Sequence, residues 1–314
     1  MSDAPLVALS KIPPEQLQTL LKSFYADKDE KTLAAYKQSL RHLQLFAQEP
    51  DESALVNRLL GSGHMNANLL VTEFKNALVA QNYAPNTINL RLTAIRSLIS
   101  FANTFGIVPW SLVVKSVRAA KYRDTRGPSR ENVMLLLKAA GEHKNPAIAA
   151  RNSAIIWLMF GRGLRRNEVR MMDITDCNLP RKAVAILRKK HSEKIVLTIS
   201  DEIVDALRAW INVRGGDTGP LFSSMQTKKR LSAKGVWQII VDTAVMANIG
   251  HVHPHMLRHS AINEAFEATD DLREVQQFSG HANIQTLMIY DDHRKDAGGD
   301  ISQKISSGFK KKTE

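Results

Sequence analysis

The chain has a single cysteine, Cys177, in 314 residues. No internal disulfide can form, and no thiolate zinc site can be built, because such sites need two or more cysteines at fixed spacing. Aromatic residues are scarce at 6%, and Leu, Ala and Lys outweigh the β-branched and aromatic types, which leans the composition towards helix. No apolar run approaches the roughly 18 residues that cross a bilayer; the longest, Ala147 to Phe160, is broken by Arg151, Asn152 and Ser153. The opening Met1-Ser2-Asp3-Ala4-Pro5 has neither the basic nor the apolar region of a secretory signal, so a reducing cytoplasm is the expected compartment. Acidic residues are outnumbered, 31 against 43 Lys and Arg, for a net charge of +12. An excess of that size points to a polyanion partner, most often nucleic acid.

The length suggests about two domains. Pro5 and the Pro13-Pro14 pair break any early helix, so residues 1–28 read as an N-terminal arm. From Glu30 to Gln48, Leu33, Tyr36, Leu40, Leu43 and Phe46 recur at three- and four-residue steps, which makes one helical face apolar. Gly61-Ser62-Gly63 reads as a loop before a helix from about Asn68 to Gln81. A further helix starts at Pro85-Asn86-Thr87, with Ile88, Leu92, Ile95, Leu98 and Ile99 on one stripe and Arg91 and Arg96 on its flanks, a basic face suited to a DNA groove or simply to solvent. These helices form a first domain, 29–118. Residues 119–128 read as a linker, within a basic stretch from Lys115 to Arg130 whose Lys121, Arg123 and Arg126 could lie along phosphates. The rest, 129–314, is a second domain, with a nearly all-apolar central helix over Ala147 to Phe160 and a β-hairpin made by Ala183 to Leu187 and Ile195 to Ile199. Helices follow at about 201–213, 233–248, 256–267, 271–279 and 283–290.

Chemistry concentrates in that second domain. Arg165 falls at the first turn of a helix just after Gly163, with Glu168 three residues on; taken singly, it is as well explained by a salt bridge. His255 and Arg258 share one face of the helix that follows Pro254. Ser279-Gly280-His281 closes another helix, and Tyr290 stands nine residues beyond His281; a lone tyrosine there is usually a half-buried core residue. Together, two arginines, two histidines, a hairpin lysine and a tyrosine, with no carboxylate cluster for Mg²⁺, suit phosphoryl transfer in which protein cations replace a metal. The tyrosine is then the nucleophile, and neither metal nor nucleotide is required.

The order Arg165, hairpin lysine, His255-x-x-Arg258, Gly280-His281, Tyr290 resembles that of the tyrosine recombinase (phage integrase) family. Gly163-Leu164-Arg165-x-x-Glu168, Pro254-His255-x-Leu257-Arg258-His259-Ser260 and Gly280-His281 with tyrosine at nine residues are three matches in register. The first domain carries a weaker likeness, in Thr32, Tyr36 and Leu40 and in the helix from Asn86 to Arg96. The resemblance implies a mainly α fold: a helical core-binding domain, then an α+β catalytic domain with a small antiparallel sheet, in an Xer-like C-clamp. It also implies that Arg165 and Arg258 clamp the scissile phosphate and that Tyr290 attacks it to give a 3′-phosphotyrosine and a free 5′-hydroxyl. His255 would act as general base, His281 would hydrogen-bond a non-bridging oxygen, and Glu168 would brace the site. Lys190 falls on the family's general-acid lysine position, with Lys189 and Lys194 as alternatives because the hairpin glycines are replaced by Lys189 and His191. Arg162 and Arg166, additional to the motif and crowding Arg165, are assigned to DNA backbone contact or salt bridging.

The implied activity is site-specific recombination of double-stranded DNA in the cytoplasm, by a tetramer on two sites (a dimer per site) through a Holliday junction. No cofactor and no membrane is involved, and accessory DNA-bending proteins are compatible with it. Two other readings compete: relaxation of DNA by a type IB topoisomerase, and a non-catalytic DNA-binding regulator.

Overall fold

Pro13 and Pro14 start a helix instead of preventing one. The structure is a computed structural model describing residues 12–118, 127–188, 193–216, 218–269 and 271–291, the last three by backbone alone. In it Pro14 sits in the first turn of α1 (Pro14–Ala26), where its missing N–H is no loss and its φ is already helical. Leu17, Leu20, Leu21 and Phe24 of α1 are buried. The arm expected over 1–28 is therefore corrected across its described part: this segment belongs to a core.

The chain divides into two compact units, Met1–Tyr122 and Arg123–Glu314. In the first, α1 is followed by α2 (Glu30–Phe46), α3 (Glu52–Gly61), α4 (Gly63–Ala80) and α5 (Pro85–Thr104). Asp29 and Asp51 cap α2 and α3 by accepting from the N–H groups of Thr32 and Ala54. Gly61-Ser62-Gly63, expected as a loop, is a one-residue joint between two helices, made possible by Gly63 at φ +78°. The apolar stripes meet in one cluster that includes Phe24, Leu40, Leu43, Leu59, Phe74, Leu92 and Ile95; each such side chain contributes about 1.5–3 kcal/mol by leaving water.

Two basic residues expected on open flanks of α5 are taken up inside this unit. Arg91 is buried, its guanidinium bonded to His42 Nδ1 and stacked over the Tyr83 ring at 4.8 Å. Arg96 donates to the carbonyl of Val114 at 2.9 Å and to Ser116 Oγ. With Asn68 and Asn89, which bond the backbone of Val113 and Val117, it pins the extended segment after α5 to the helices. Arg91, buried and bonded in this way, is corrected from DNA contact to a structural role, whereas Arg96 engages its acceptors through Nη2 alone and stays partly exposed. Lys121, Arg123 and Arg126 lie outside the described residues.

The second unit begins with α6 (Arg130–Gly141), capped by Ser129, and α7 (Pro146–Gly161), capped by Asn145. It continues through α8 (Arg166–Met171), a 3₁₀ turn at Ile174–Asp176, and three strands, β1 (Cys177–Asn178), β2 (Ala183–Ile186) and β3 (Ile195–Thr198). These pair antiparallel in the order β1-β2-β3, with Val184 opposite Leu197 and Ile186 opposite Ile195. Helices α9 (Asp201–Arg214), α10 (Ala233–Met246), α11 (Pro254–Ala268), α12 (Leu272–Ser279) and α13 (Gln285–Asp291) complete it. The α7 helix carries the core, with Ile155, Ile156, Leu158 and Met159 fully buried against α6, α9 and α11. Arg151 and Asn152, the polar break in its apolar run, bond to each other inside this core. The architecture is mainly α with a small antiparallel sheet, as the sequence implies.

Candidate active site

The glycine turn after α7 places the first arginine. Gly163 adopts φ +65°, which favours glycine, and a Cβ there would press on the Phe278 ring at 3.0 Å. Leu164 is buried next to it, and Arg165 then stands at the N-cap of α8. Glu168, 5% exposed, closes this turn: one carboxylate oxygen accepts from the Arg165 N–H at 2.8 Å and the other from Arg165 Nη1 at 3.0 Å. The half-exposed guanidinium is thereby aimed by its own helix, with Nη2 towards the Gly280 carbonyl.

Arg258 sits in the first turns of α11, whose start is set by Pro254 at the first helical position. It is 2% exposed. Its Nη1 donates to the Gly163 carbonyl, its Nη2 to the Ser279 carbonyl at 2.6 Å, and Nη2 also lies 3.4 Å from His281 Nε2. One side chain thus ties together the turn before α8, α11 and the end of α12. His255, one turn before Arg258, is exposed and packs edge-on against the buried His259 ring, with centroids 4.3 Å apart.

His281 follows the left-handed Gly280 that ends α12, and its Nδ1 lies 2.9 Å from Ser279 Oγ. Burial, followed by the charges of Arg258, Arg165, His255 and Arg188, pushes its pKa down to about 4. The imidazole is therefore uncharged at neutral pH. The structure brings Arg165, Glu168, His255, Arg258 and His281 together. Tyr290 falls on α13, which packs against α11, while its side chain lies outside the described residues, as does the whole of Lys190. Of the alternative lysines, Lys189 also falls outside. Lys194 is held by Asp176, at 2.6 and 2.8 Å from its two carboxylate oxygens.

Two further arginines belong to this neighbourhood. Arg162, expected on DNA or in a salt bridge, instead donates to the carbonyls of Thr198 and Phe278 and stacks on the Phe278 ring. That corrects its assignment: it fastens the end of α7 to β3 and α12. Arg188 was not singled out from the sequence. Its Nε lies 3.8 Å from Glu168, and its guanidinium rests on Gly280. Strand alternation carries the signal for it, because position 188 continues the inward face of Val184 and Ile186.

The arrangement is a set of rigidly held guanidinium groups and a neutral imidazole around one carboxylate, which is chemistry for binding a phosphate and stabilising charge on it. Comparison with known proteins agrees. Residues 129–297 match the Phage integrase family. A tyrosine recombinase of Synechocystis sp. is 32% identical over 290 residues, covering 88% of this chain and 91% of the relative. The tyrosine recombinase XerC of Escherichia coli O157:H7 is 30% identical over 266 residues, covering 82% of this chain and 84% of the relative. The structure of the Tn1549 transposon integrase in complex with circular intermediate DNA aligns with a TM-score of 0.70 at 15% identity, over 93% of this chain and 99% of that one, and so shares its fold. No helix among the described residues is long and apolar enough to cross a membrane. The chain belongs to the phage integrase family and is a tyrosine recombinase.

Proposed function

We propose that this protein recombines double-stranded DNA at a specific site through a 3′-phosphotyrosine intermediate. The observation that carries this reading is the convergence of Arg165 and Arg258 on the Ser279-Gly280-His281 turn, with α11, which carries Arg258, packed against the helix bearing Tyr290. Arg165 and Arg258 hold the non-bridging oxygens of the scissile phosphate, with His281 as a third hydrogen-bonding group. The Tyr290 hydroxyl attacks phosphorus and gives up its proton to His255. The bond from phosphorus to the 5′-oxygen breaks, and Lys190 protonates that oxygen. Glu168 keeps Arg165 in place. Reversal by a 5′-hydroxyl from a second site exchanges strands, so two pairs of exchanges within a tetramer pass through a Holliday junction. The energy of the broken ester is kept in the phosphotyrosine, and no nucleotide is consumed.

The reaction is tested by incubating the protein with sheared source DNA in EDTA, stopping with detergent and sequencing the covalently attached DNA. Wild type should yield adducts at one recurring inverted-repeat sequence, and Tyr290→Phe should bind DNA equally well yet yield none. Scattered adducts would favour DNA relaxation instead, and equal behaviour of the two proteins would sink the assignment of Tyr290.

A further inference from the structure

Arg188 is a charged side chain in an expensive place. Its Nε and Nη2 are buried and find no hydrogen-bond partner among the described residues, a state that costs free energy unless the surroundings hold it. Two contacts hold it. Glu168 lies 3.8 Å from Nε, using the oxygen that also accepts from Arg165 Nη1. On the other side is Gly280, where an added Cβ would fall 1.8 Å from Nη1 and 2.0 Å from the guanidinium carbon. The glycine before His281 is thus required twice, by its φ of +62° and by the space that Arg188 occupies.

We propose that Arg188 is a positioning residue of the recombinase site, a wedge that fixes Glu168 on one side and the Gly280-His281 turn on the other. This rests on the reading of the site given above. Glu168 orients Arg165 and His281 sits against Arg258, so the wedge sets the spacing between the two halves of the phosphate clamp. Its charge acts as well. His281 is faced by Arg258 and His255 from α11, by Arg165 at the start of α8, and by Arg188 at the end of β2, all of which disfavour its protonation. Ser279 provides a neutral partner from α12. Removing Arg188 removes one of these positive charges, so protonation of His281 becomes easier.

The test uses the full-length chain with Arg188→Met, which keeps length without charge, and Arg188→Lys, which restores the charge. In DNA-free protein, the His281 ring titration followed by NMR should move upward from about 4 in Arg188→Met and part of the way back in Arg188→Lys. With DNA carrying the recovered site, adduct formation at neutral pH should fall about tenfold to a hundredfold in Arg188→Met, the scale of a slightly misplaced catalytic group, and recover in part with lysine. Gly280→Ala, which expels the guanidinium, should show the same loss, and combining it with Arg188→Met should add little. If Arg188→Met does not fold, Arg188→Gln takes its place. An unmoved His281 titration overturns the proposal, as does a wild-type adduct rate in Arg188→Met. Should wild type itself form no adducts, the recombination reading fails, while the titration still decides the placement of Arg188.

Discussion

Arg258, proposed as half of the phosphate clamp, is also a strut, and the two duties separate experimentally from those of Arg165. At 2% exposure it satisfies the carbonyls of Gly163 and Ser279, and leaving each buried acceptor unpaired costs about 1–3 kcal/mol. The Arg165 side chain is 40% exposed, and its partner Glu168 keeps the Arg165 backbone N–H when the guanidinium is gone. Glu168 is 5% exposed and also has the Arg188 guanidinium 3.8 Å away, so this carboxylate stays partnered when the Arg165 side chain is lost. Arg165→Ala and Arg258→Ala should both bind DNA nearly as well as wild type and form no adducts, but only Arg258→Ala should lower the midpoint of denaturant unfolding substantially. An adduct from either variant would remove that arginine from the clamp. An Arg258→Ala protein as stable as wild type would show that the two carbonyls find other donors.

Among the elements, α1 makes the sharpest claim, since prolines ahead of an apolar stripe can be taken for a break. Phe24 is 1% exposed and its ring lies 5.6 Å from Phe101 on α5. Phe24→Ala should destabilise the first unit by about 3–5 kcal/mol, and removing residues 1–28 should do at least as much; an unchanged unfolding midpoint in the truncated protein would return this segment to the status of an arm. What was legible from the sequence follows the same physics. The helices around Leu40 and Leu92 and the hairpin from Ala183 to Ile199 bury one face against a core, and that burial writes a period into the chain. Both α1 and α3 were missed because Pro13-Pro14 and Gly61-Ser62-Gly63 serve equally as starts and joints, and β1 because two residues carry no period. The site motifs were readable because glycine turns and helix starts fix Arg165, Arg258 and His281 locally. The destinations of Arg91, Arg96 and Arg162 were not, since the carbonyls, ring and imidazole that claim them lie far away in sequence.

For the whole molecule, the +12 charge overstates what can reach DNA, because many guanidinium groups are used within the fold. Arg91, Arg96 and Arg162 are joined by Arg214, which donates to the carbonyls of Pro220, Gly215 and Thr218, and by Arg230, which holds Asp173 and the carbonyls at the end of α8. Phosphate contact is then expected of residues such as the six basic ones from Lys115 to Arg130. Each neutralised phosphate releases counterions and adds about −0.9 to the slope of log affinity against log salt, so about six contacts cost roughly 10³-fold between about 50 and 200 mM salt. Replacing Lys121, Arg123 and Arg126 with glutamine should flatten that slope by roughly 0.9 per residue, lowering affinity without shifting which sequence is preferred, because contacts to phosphate position the protein and do not read bases. Fluorescence anisotropy titrations across that salt range measure both effects. A slope equal to that of wild type would mean that the basic stretch does not touch the backbone, and that the charge engaging DNA lies on the helices instead.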